Sequence, residues 1–348
     1  MQTGWLTSKA RLSGRAFACD ALSGRSQINV CINSDLTVSC SCRDFDGTGH
    51  VADLKTDELA DAFYGPVASD FRHQLASGTL PTTACARCWD LRMVSRDEAR
   101  RQRDDVKFPE FIMVENTSAC NLTCVSCPRH RIQNIRGRRS MSLDDVRKVA
   151  QELHRVGIRE AAYLNLGEPF LSRRLAEELE IIRAWNPGIK INTSTNGVFV
   201  ATERQRAAAL LFDHIQFSLD GINQETAARY QRKTNFAQVY ENIKQLVAYR
   251  DERGLTRPRI VWKYLLFRWN ERRHQMLTAV DMAREANVDE LWFERTVSPF
   301  YGLPWRSYLG LNRDIGEEEE GARRIVFREA EADERDVAPT KEPVALEV

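Results

Sequence analysis

An α/β fold around a parallel sheet is what the sequence predicts, on two observations. Beyond about residue 109, short runs rich in apolar and β-branched residues alternate with longer stretches of helical periodicity, the pattern of strands joined by helical crossovers. Polar motifs fall at the ends of those runs, where ligands collect in parallel α/β sheets. Six such strands with right-handed crossovers fit an open, partial (β/α) barrel or a doubly wound sheet.

The elements follow in order. In residues 1–92, the runs 26–32 and 36–42 read as a hairpin around Asn33-Ser34-Asp35, residues 58–75 are helix-like, and Cys85-Ala-Arg-Cys88 follows. This segment reads as a small module held more by metal than by an apolar core. Residues 93–108 form a charged linker, a solvated helix or extended connector. Strands are expected at 111–116, 161–167, 190–195, 214–220, 259–267 and 291–297, within a domain spanning 109–300. Between the first two, Ser142 and Asp145 form a capping-box pair, Val146, Val149 and Leu153 form an apolar stripe, and Gly157 supplies a stop. A helix beginning at Asn235 buries Phe236, Val239, Ile243, Leu246 and Val247, and others fit 174–185, 202–211 and 274–286. Residues 301–348 form a C-terminal extension, acidic at 317–320 and expected to be partly disordered.

Composition narrows the function. At 348 residues, 43% apolar and 28% charged, the chain reads as globular, one large domain plus a small one. Lys plus Arg (50) nearly balances Asp plus Glu (49), so charge gives no case for a nucleic-acid partner and disfavours an RNA-modifying enzyme. No apolar run reaches the roughly 20 residues that span a bilayer, and residues 1–18 carry no signal-like apolar stretch; no membrane partner and a cytoplasmic location are expected. All nine cysteines lie in the first 127 residues. An odd, clustered set without a secretion signal points to metal ligation rather than disulfides.

Cys120, Cys124 and Cys127 stand in a loop just after the first barrel strand. Three thiolates can hold three irons of a cubane that normally takes four protein ligands, leaving one iron open to a chelating small molecule. This C-x3-C-x2-C spacing, flanked by Glu115-Asn116-Thr117 and Pro128-Arg129, resembles the radical S-adenosylmethionine (SAM) superfamily. Ser126 departs from it, since many members carry an aromatic there. The resemblance implies a partial (β/α)6 barrel, catalytic Cys120, Cys124 and Cys127, and SAM bound by its amino and carboxylate groups to the open iron of a [4Fe–4S] cluster. Gly167-Glu168-Pro169 is similar to the motif that holds the SAM amino group. Ser194 and Asn196, in Ser194-Thr195-Asn196-Gly197, are placed to meet the ribose or carboxylate. Ser218 and Arg232 are candidates for the carboxylate, a pairing that suits guanidinium geometry.

The earlier cysteines resemble a SPASM/twitch module, which holds auxiliary [4Fe–4S] clusters and normally follows the barrel rather than preceding it. Six cysteines are too few for two fully ligated clusters, so one is expected, on Cys19, Cys40, Cys85 and Cys88. Cys42 is the substitute for Cys40, since two residues alternating on one strand share a face. A zinc knuckle on the same thiolates is the alternative. Cys31 is left over, either a buried apolar cysteine or, as an alternative to Cys42, the hydrogen-atom donor to a substrate radical.

The function implied is an oxidoreductase-type radical SAM enzyme. A 5′-deoxyadenosyl radical would abstract hydrogen from a peptide or sugar/aminocyclitol substrate, and an auxiliary cluster would assist dehydrogenation or crosslinking. A reducing partner such as flavodoxin or ferredoxin is expected. The rivals are a radical epimerase with a cysteine hydrogen donor and a non-catalytic zinc-binding interaction protein. Lys263, Tyr264, Glu294 and Arg295, on or near the last two strands, include candidates to face substrate. The G-x-G-x-x-A pattern from Gly47 to Ala52 reads as a turn, with no strand and helix around it.

Overall fold

The computed structural model of the protein describes residues 2–26, 30–132, 134–315, 319–320 and 323–328. Helix Gln2–Leu12 leads into strand β1 (Arg15–Cys19), followed by β2 (Cys31–Ile32), β3 (Thr37–Ser39) and β4 (His50–Asp53). β2 and β3 form the expected antiparallel hairpin; residues 27–29, in its first run, lie outside the described residues. Asp35 Oδ1 closes its turn by accepting from Thr37 N and Oγ1 at 3.2 and 2.7 Å. The helical stretch expected at 58–75 is two helices, Asp61–Tyr64 and Pro66–Ala76. Pro66 holds the preceding Gly65 extended, which breaks the run. The 93–108 linker is more structured than its charge suggests. Strand β5 (Leu91–Ser95) pairs antiparallel with β1 and runs directly into helix Arg96–Asp104. Val94 is the one buried side chain of β5, so its alternation is too weak to read in sequence.

Six parallel strands follow: β6 (Phe111–Val114), β7 (Glu160–Ala162), β8 (Lys190–Thr195), β9 (His214–Ser218), β10 (Arg259–Leu266) and β11 (Glu290–Arg295). They lie side by side in sequence order. With no reversal of order there is no switch point, so the arrangement is a partial barrel and not a doubly wound sheet. β12 (Glu319–Glu320) pairs with β13 (Arg323–Arg328), which extends the sheet parallel to β11. The remaining tail, 329–348, and residues 316–318 lie outside the described residues. At the other edge β2 pairs parallel with β6.

The crossover helices form where their caps place them. Helix Leu143–Val156 has the capping box of Ser142 with Asp145 and ends at Gly157 in the left-handed region (φ 76°). Asn235 accepts from Gln238 N to start helix Phe236–Asp251. These helices, with Leu175–Trp185, Glu203–Ala209 and Arg273–Glu285, cover one face of the sheet. Ile112, Ile191, Ile215 and Ile260 there meet Val149, Leu179, Ile243 and Val280. The opposite, inner face carries Met113, Ala162, Ser194, Ser218, Lys263 and Glu294; Met113 is in register with Ala162 and Ser218 with Lys263. Phe17, Leu22, Leu54 and Phe63 belong to the same apolar core as the barrel helices. The first 92 residues therefore share one apolar core with the barrel.

Candidate active site

The loop after β6 carries Cys120, Cys124 and Cys127, and backbone contacts fix it from three sides. At its base, Ser118 N donates to Arg139 O at 2.7 Å and Met141 N to Asn116 O at 2.9 Å. At its tip, Thr123 N and Val125 N donate to the carbonyls of Arg232 and Tyr230, at 3.2 and 3.0 Å. Between them, Glu168 N donates to Ala119 O at 2.8 Å. That last contact explains Gly167: a Cβ there would stand 1.8 Å from Thr117 O, so only glycine lets the loop after β7 approach the cysteine loop so closely.

Glu168 is buried, and its carboxylate is already engaged. Oε1 accepts from Thr195 Oγ1 (2.7 Å) and Phe170 N (3.2 Å), and Oε2 from Asn196 N (2.8 Å). Burial still pushes its pKa up to about 7 against those hydrogen bonds. Pro169, also buried, opens the short 3-10 turn Pro169–Leu171. Asn196 Nδ2, held by this arrangement, donates to Asn121 Oδ1 at 2.8 Å and lies 3.8 Å from Cys120 Sγ. Ser194 and Ser218 meet on the inner face, hydroxyl to hydroxyl at 3.2 Å. Arg232 is exposed at the loop tip.

The site also includes residues to which the sequence assigned no role. Asp220 is buried at the end of β9, where Oδ1 accepts from Leu265 N at 2.9 Å. Burial raises its pKa to about 7, with Lys263 opposing and Glu294 reinforcing. Gln231 braces this turn by donating to Ser218 O and accepting from Asp220 N. Asp220 follows Ser218 by two residues in a polar strand end, and that position was the available signal. Of the four residues near the last strands, Lys263 and Glu294 lie 3.7 Å apart on the inner face. Tyr264 is in the outer core, with its hydroxyl on Asn270 O. Arg295 lies over the Tyr308 ring, 5.1 Å from its centroid.

The cysteines fall into three groups, seen in which neighbouring thiols act on those whose pKa is raised. Burial is the first cause throughout. Cys124 is then raised by Asp220, Cys127 and Cys120. Cys19 is raised by Cys88 and Cys40, Cys40 by Cys85 and Cys88, and Cys88 reaches about 11 through burial, Asp90 and Cys85. Cys31 is raised by Glu115 and Cys42. Cys42 packs with Cys31, Met113, Ala162 and Leu164, whereas Cys40 belongs to the outer core. The expectation that Cys40 and Cys42 share a face is corrected: β3 ends at Ser39, and beyond it strand alternation no longer applies. Gly47 and Gly49 lie in the turn before β4, which opens no helix.

Among the described residues, no three His, Cys, Asp or Glu side chains converge on a single-ion site. A cubane spaces its ligand sulfurs more widely than one ion does, and thiols such as Cys120 and Cys124, which burial holds above the usual thiol range, suit a cationic iron core. The donor set of the β6 loop therefore fits an open [4Fe–4S] cluster, with Asn196 at its edge. No described helix is long and apolar enough to cross a membrane.

Known proteins resemble this chain over part of its length. Residues 114–257 match the model of the Radical SAM superfamily. The chain is 30% identical over 136 residues to a probable GTP 3′,8-cyclase of Pyrococcus horikoshii, covering 38% of this chain and 40% of that one. It is 31% identical over 141 residues to the mycofactocin maturase MftC of Mycolicibacterium smegmatis, covering 40% and 34%. The chain thus spans about two fifths or less of the curated relatives' length. The structure of Streptococcus suis SuiB bound to precursor peptide SuiA superposes with a TM-score of 0.49 at 14% identity, over 75% of this chain and 62% of that one.

Proposed function

We infer, from the premise that residues 114–257 form a radical SAM domain, that the chain is an enzyme that oxidises an unactivated carbon of a peptide or sugar/aminocyclitol. The cofactors of that domain are a [4Fe–4S] cluster and SAM, and the chemistry they supply is one-electron cleavage of SAM to a 5′-deoxyadenosyl radical that takes a hydrogen atom from substrate. Cys120, Cys124 and Cys127 would hold the cluster and leave one iron for SAM. Glu168 acts through position: it fixes Asn196 and the loop from Gly167 to Pro169 beside Cys120. Ser194, Ser218 and the exposed Arg232 are polar groups available to SAM at the ends of β8 and β9. Lys263 and Glu294 present a paired charge to substrate on the inner face. Cys19, Cys40, Cys85 and Cys88 would hold a second cluster, the electron acceptor that an oxidation requires, and a flavodoxin or ferredoxin would deliver the first electron.

The observation that carries this reading is the grouping of the thiols. One group of three lies on a loop pinned to the ends of β7 and β9, and one group of four lies in the N-terminal module. The test is anaerobic reconstitution with iron and sulfide, then dithionite and SAM, scoring 5′-deoxyadenosine by mass spectrometry. Wild type should release it and Cys124→Ala should not. A colourless protein with zinc and no sulfide would instead support a zinc-binding interaction protein.

A second reading has one observation in its favour. Cys31 and Cys42 pack together with inner-face residues, and burial keeps the Cys31 thiol protonated. A thiol there would quench a substrate radical by giving its hydrogen atom, making an epimerase that consumes SAM and needs an external electron and proton to restore the thiol. Turnover in deuterated water separates the two: epimerisation places deuterium at the reacting carbon, and oxidation does not.

A further inference from the structure

We propose that the cavity beyond the C-terminal ends of β9, β10 and β11 docks an acidic, apolar-rich segment of a peptide substrate, away from the reacting centre. This rests on the reading above, and within it selects a peptide over a sugar or aminocyclitol. The cavity measures about 710 Å³ and is lined by Arg229, Arg268, Trp269, Arg272, Gln275 and Tyr301, among others. Its one acidic lining residue, Glu225, is already paired to Arg229 at 2.6 Å. Arg268 and Arg272 have no carboxylate partner among the described residues. Arg272 also stands at the N-cap position of helix Arg273–Glu285, its backbone N donating to Gln275 Oε1, and the first turn carries no acidic residue, so the helix adds positive potential at the same place. The Trp269 indole N–H, buried, has no hydrogen-bond partner among the described residues. Two further guanidiniums therefore line the cavity, whose one carboxylate is committed to Arg229.

The sign of the charge selects the occupant. An aminocyclitol bears ammonium groups that this cavity would repel, and a neutral sugar leaves the guanidiniums unmet. Tyr301, which lines the cavity, belongs to a segment after β11 rich in exposed apolar side chains. Phe300 is 77% exposed, Tyr301 61%, Trp305 54% and Leu309 73%, and side chains of that kind commonly mark an interaction face. An aromatic series joins this surface to the cysteine loop. Tyr301 lies 6.3 Å from Trp269, Trp269 stacks on Phe267 at 4.7 Å, and Phe267 meets Tyr230 at 4.6 Å between centroids. The Tyr230 carbonyl accepts from Val125 N, between Cys124 and Cys127. A segment docked here would leave the adjoining substrate chain at the same end of the barrel as the cluster loop.

The test is equilibrium binding by fluorescence anisotropy with the reconstituted full chain, so it succeeds or fails independently of 5′-deoxyadenosine release. The probe is a fluorescein-labelled peptide alternating Glu with Leu and Phe, beside its Lys-for-Glu counterpart. The Glu peptide should bind, weaken with added salt, and lose about tenfold or more in affinity in the Arg268→Glu/Arg272→Glu variant. Tyr301→Ala, which changes no charge, should weaken it several-fold, while Arg159→Glu, exposed at the opposite end of the barrel, should not. Equal binding by all variants, or no binding by wild type, overturns the proposal. So does displacement of the probe by inorganic phosphate or a nucleoside triphosphate at lower concentration than unlabelled Glu peptide. Tighter probe binding by a Glu329→Gln/Glu331→Gln/Glu334→Gln variant would assign the cavity to the chain's own acidic tail, and also overturns it.

Discussion

Asp220 and Glu168 show what a buried carboxylate does when its partners are neutral hydrogen-bond donors. Both reach a pKa of about 7, chiefly because burial penalises the charged form. For Asp220 the folded value lies above the usual 3.8, so the protonated acid favours the fold. That stability is complete below about pH 3.8 and is lost as pH rises through about 7. In the iron-free protein, Asp220→Asn should remove one proton's worth of this dependence, flattening stability against pH by up to about 1.4 kcal/mol per unit in that window. Urea denaturation at several pH values reads it; parallel slopes for variant and wild type would show that Asp220 ionises in the fold as it does in water. At this scale the cysteine triplet was legible because thiolate spacing is local. The engagement of Glu168 by Thr195, Phe170 and Asn196 was not, since two of its donors arrive from β8, across the sheet.

Among elements, the loops at the strand ends matter more than the strands. Crossover helices were legible from caps and periodicity, and Leu143–Val156 begins and ends where Ser142 and Gly157 predict. The strand expected at 161–167 is shorter, Glu160–Ala162, because the residues after it turn away to meet the cysteine loop. One substitution made at two glycines separates shape from function. Gly157→Ala strains a left-handed residue with nothing within 4 Å, and should cost about 1 kcal/mol in unfolding with SAM cleavage intact. Gly167→Ala drives a Cβ into Thr117 O and should push the two loops apart, lowering 5′-deoxyadenosine release by tenfold or more. Equal effects of the two variants on release would mean that the Gly167 contact does not position the cluster loop.

Across the whole molecule, the N-terminal module and the barrel share one sheet, through β2 and β6, and one apolar core. The Asn33–Asp35 turn also grips the segment after the cysteine loop: Asp35 accepts from Gly137 N at 2.8 Å and Ser34 donates to Arg138 O at 2.9 Å. A Cys85→Ala variant should therefore stay folded and cleave SAM, yet hold one cluster's iron and sulfide instead of two and fail to turn over substrate. Iron analysis beside a substrate assay checks this; an unchanged iron content would remove Cys85 from the ligand set. The sequence by itself determined the α/β class, the crossover helices and the three-thiol loop, because each is written in local spacing that survives without knowing what lies opposite. Only the tertiary structure decided that the strands run in sequence order, that Cys40 joins Cys85 and Cys88 while Cys42 joins Cys31, that Asp220 is buried, and that arginines from two loops share a cavity. Those outcomes depend on residues far apart in the chain being brought together by burial, and no local pattern encodes which distant side chain will be the neighbour.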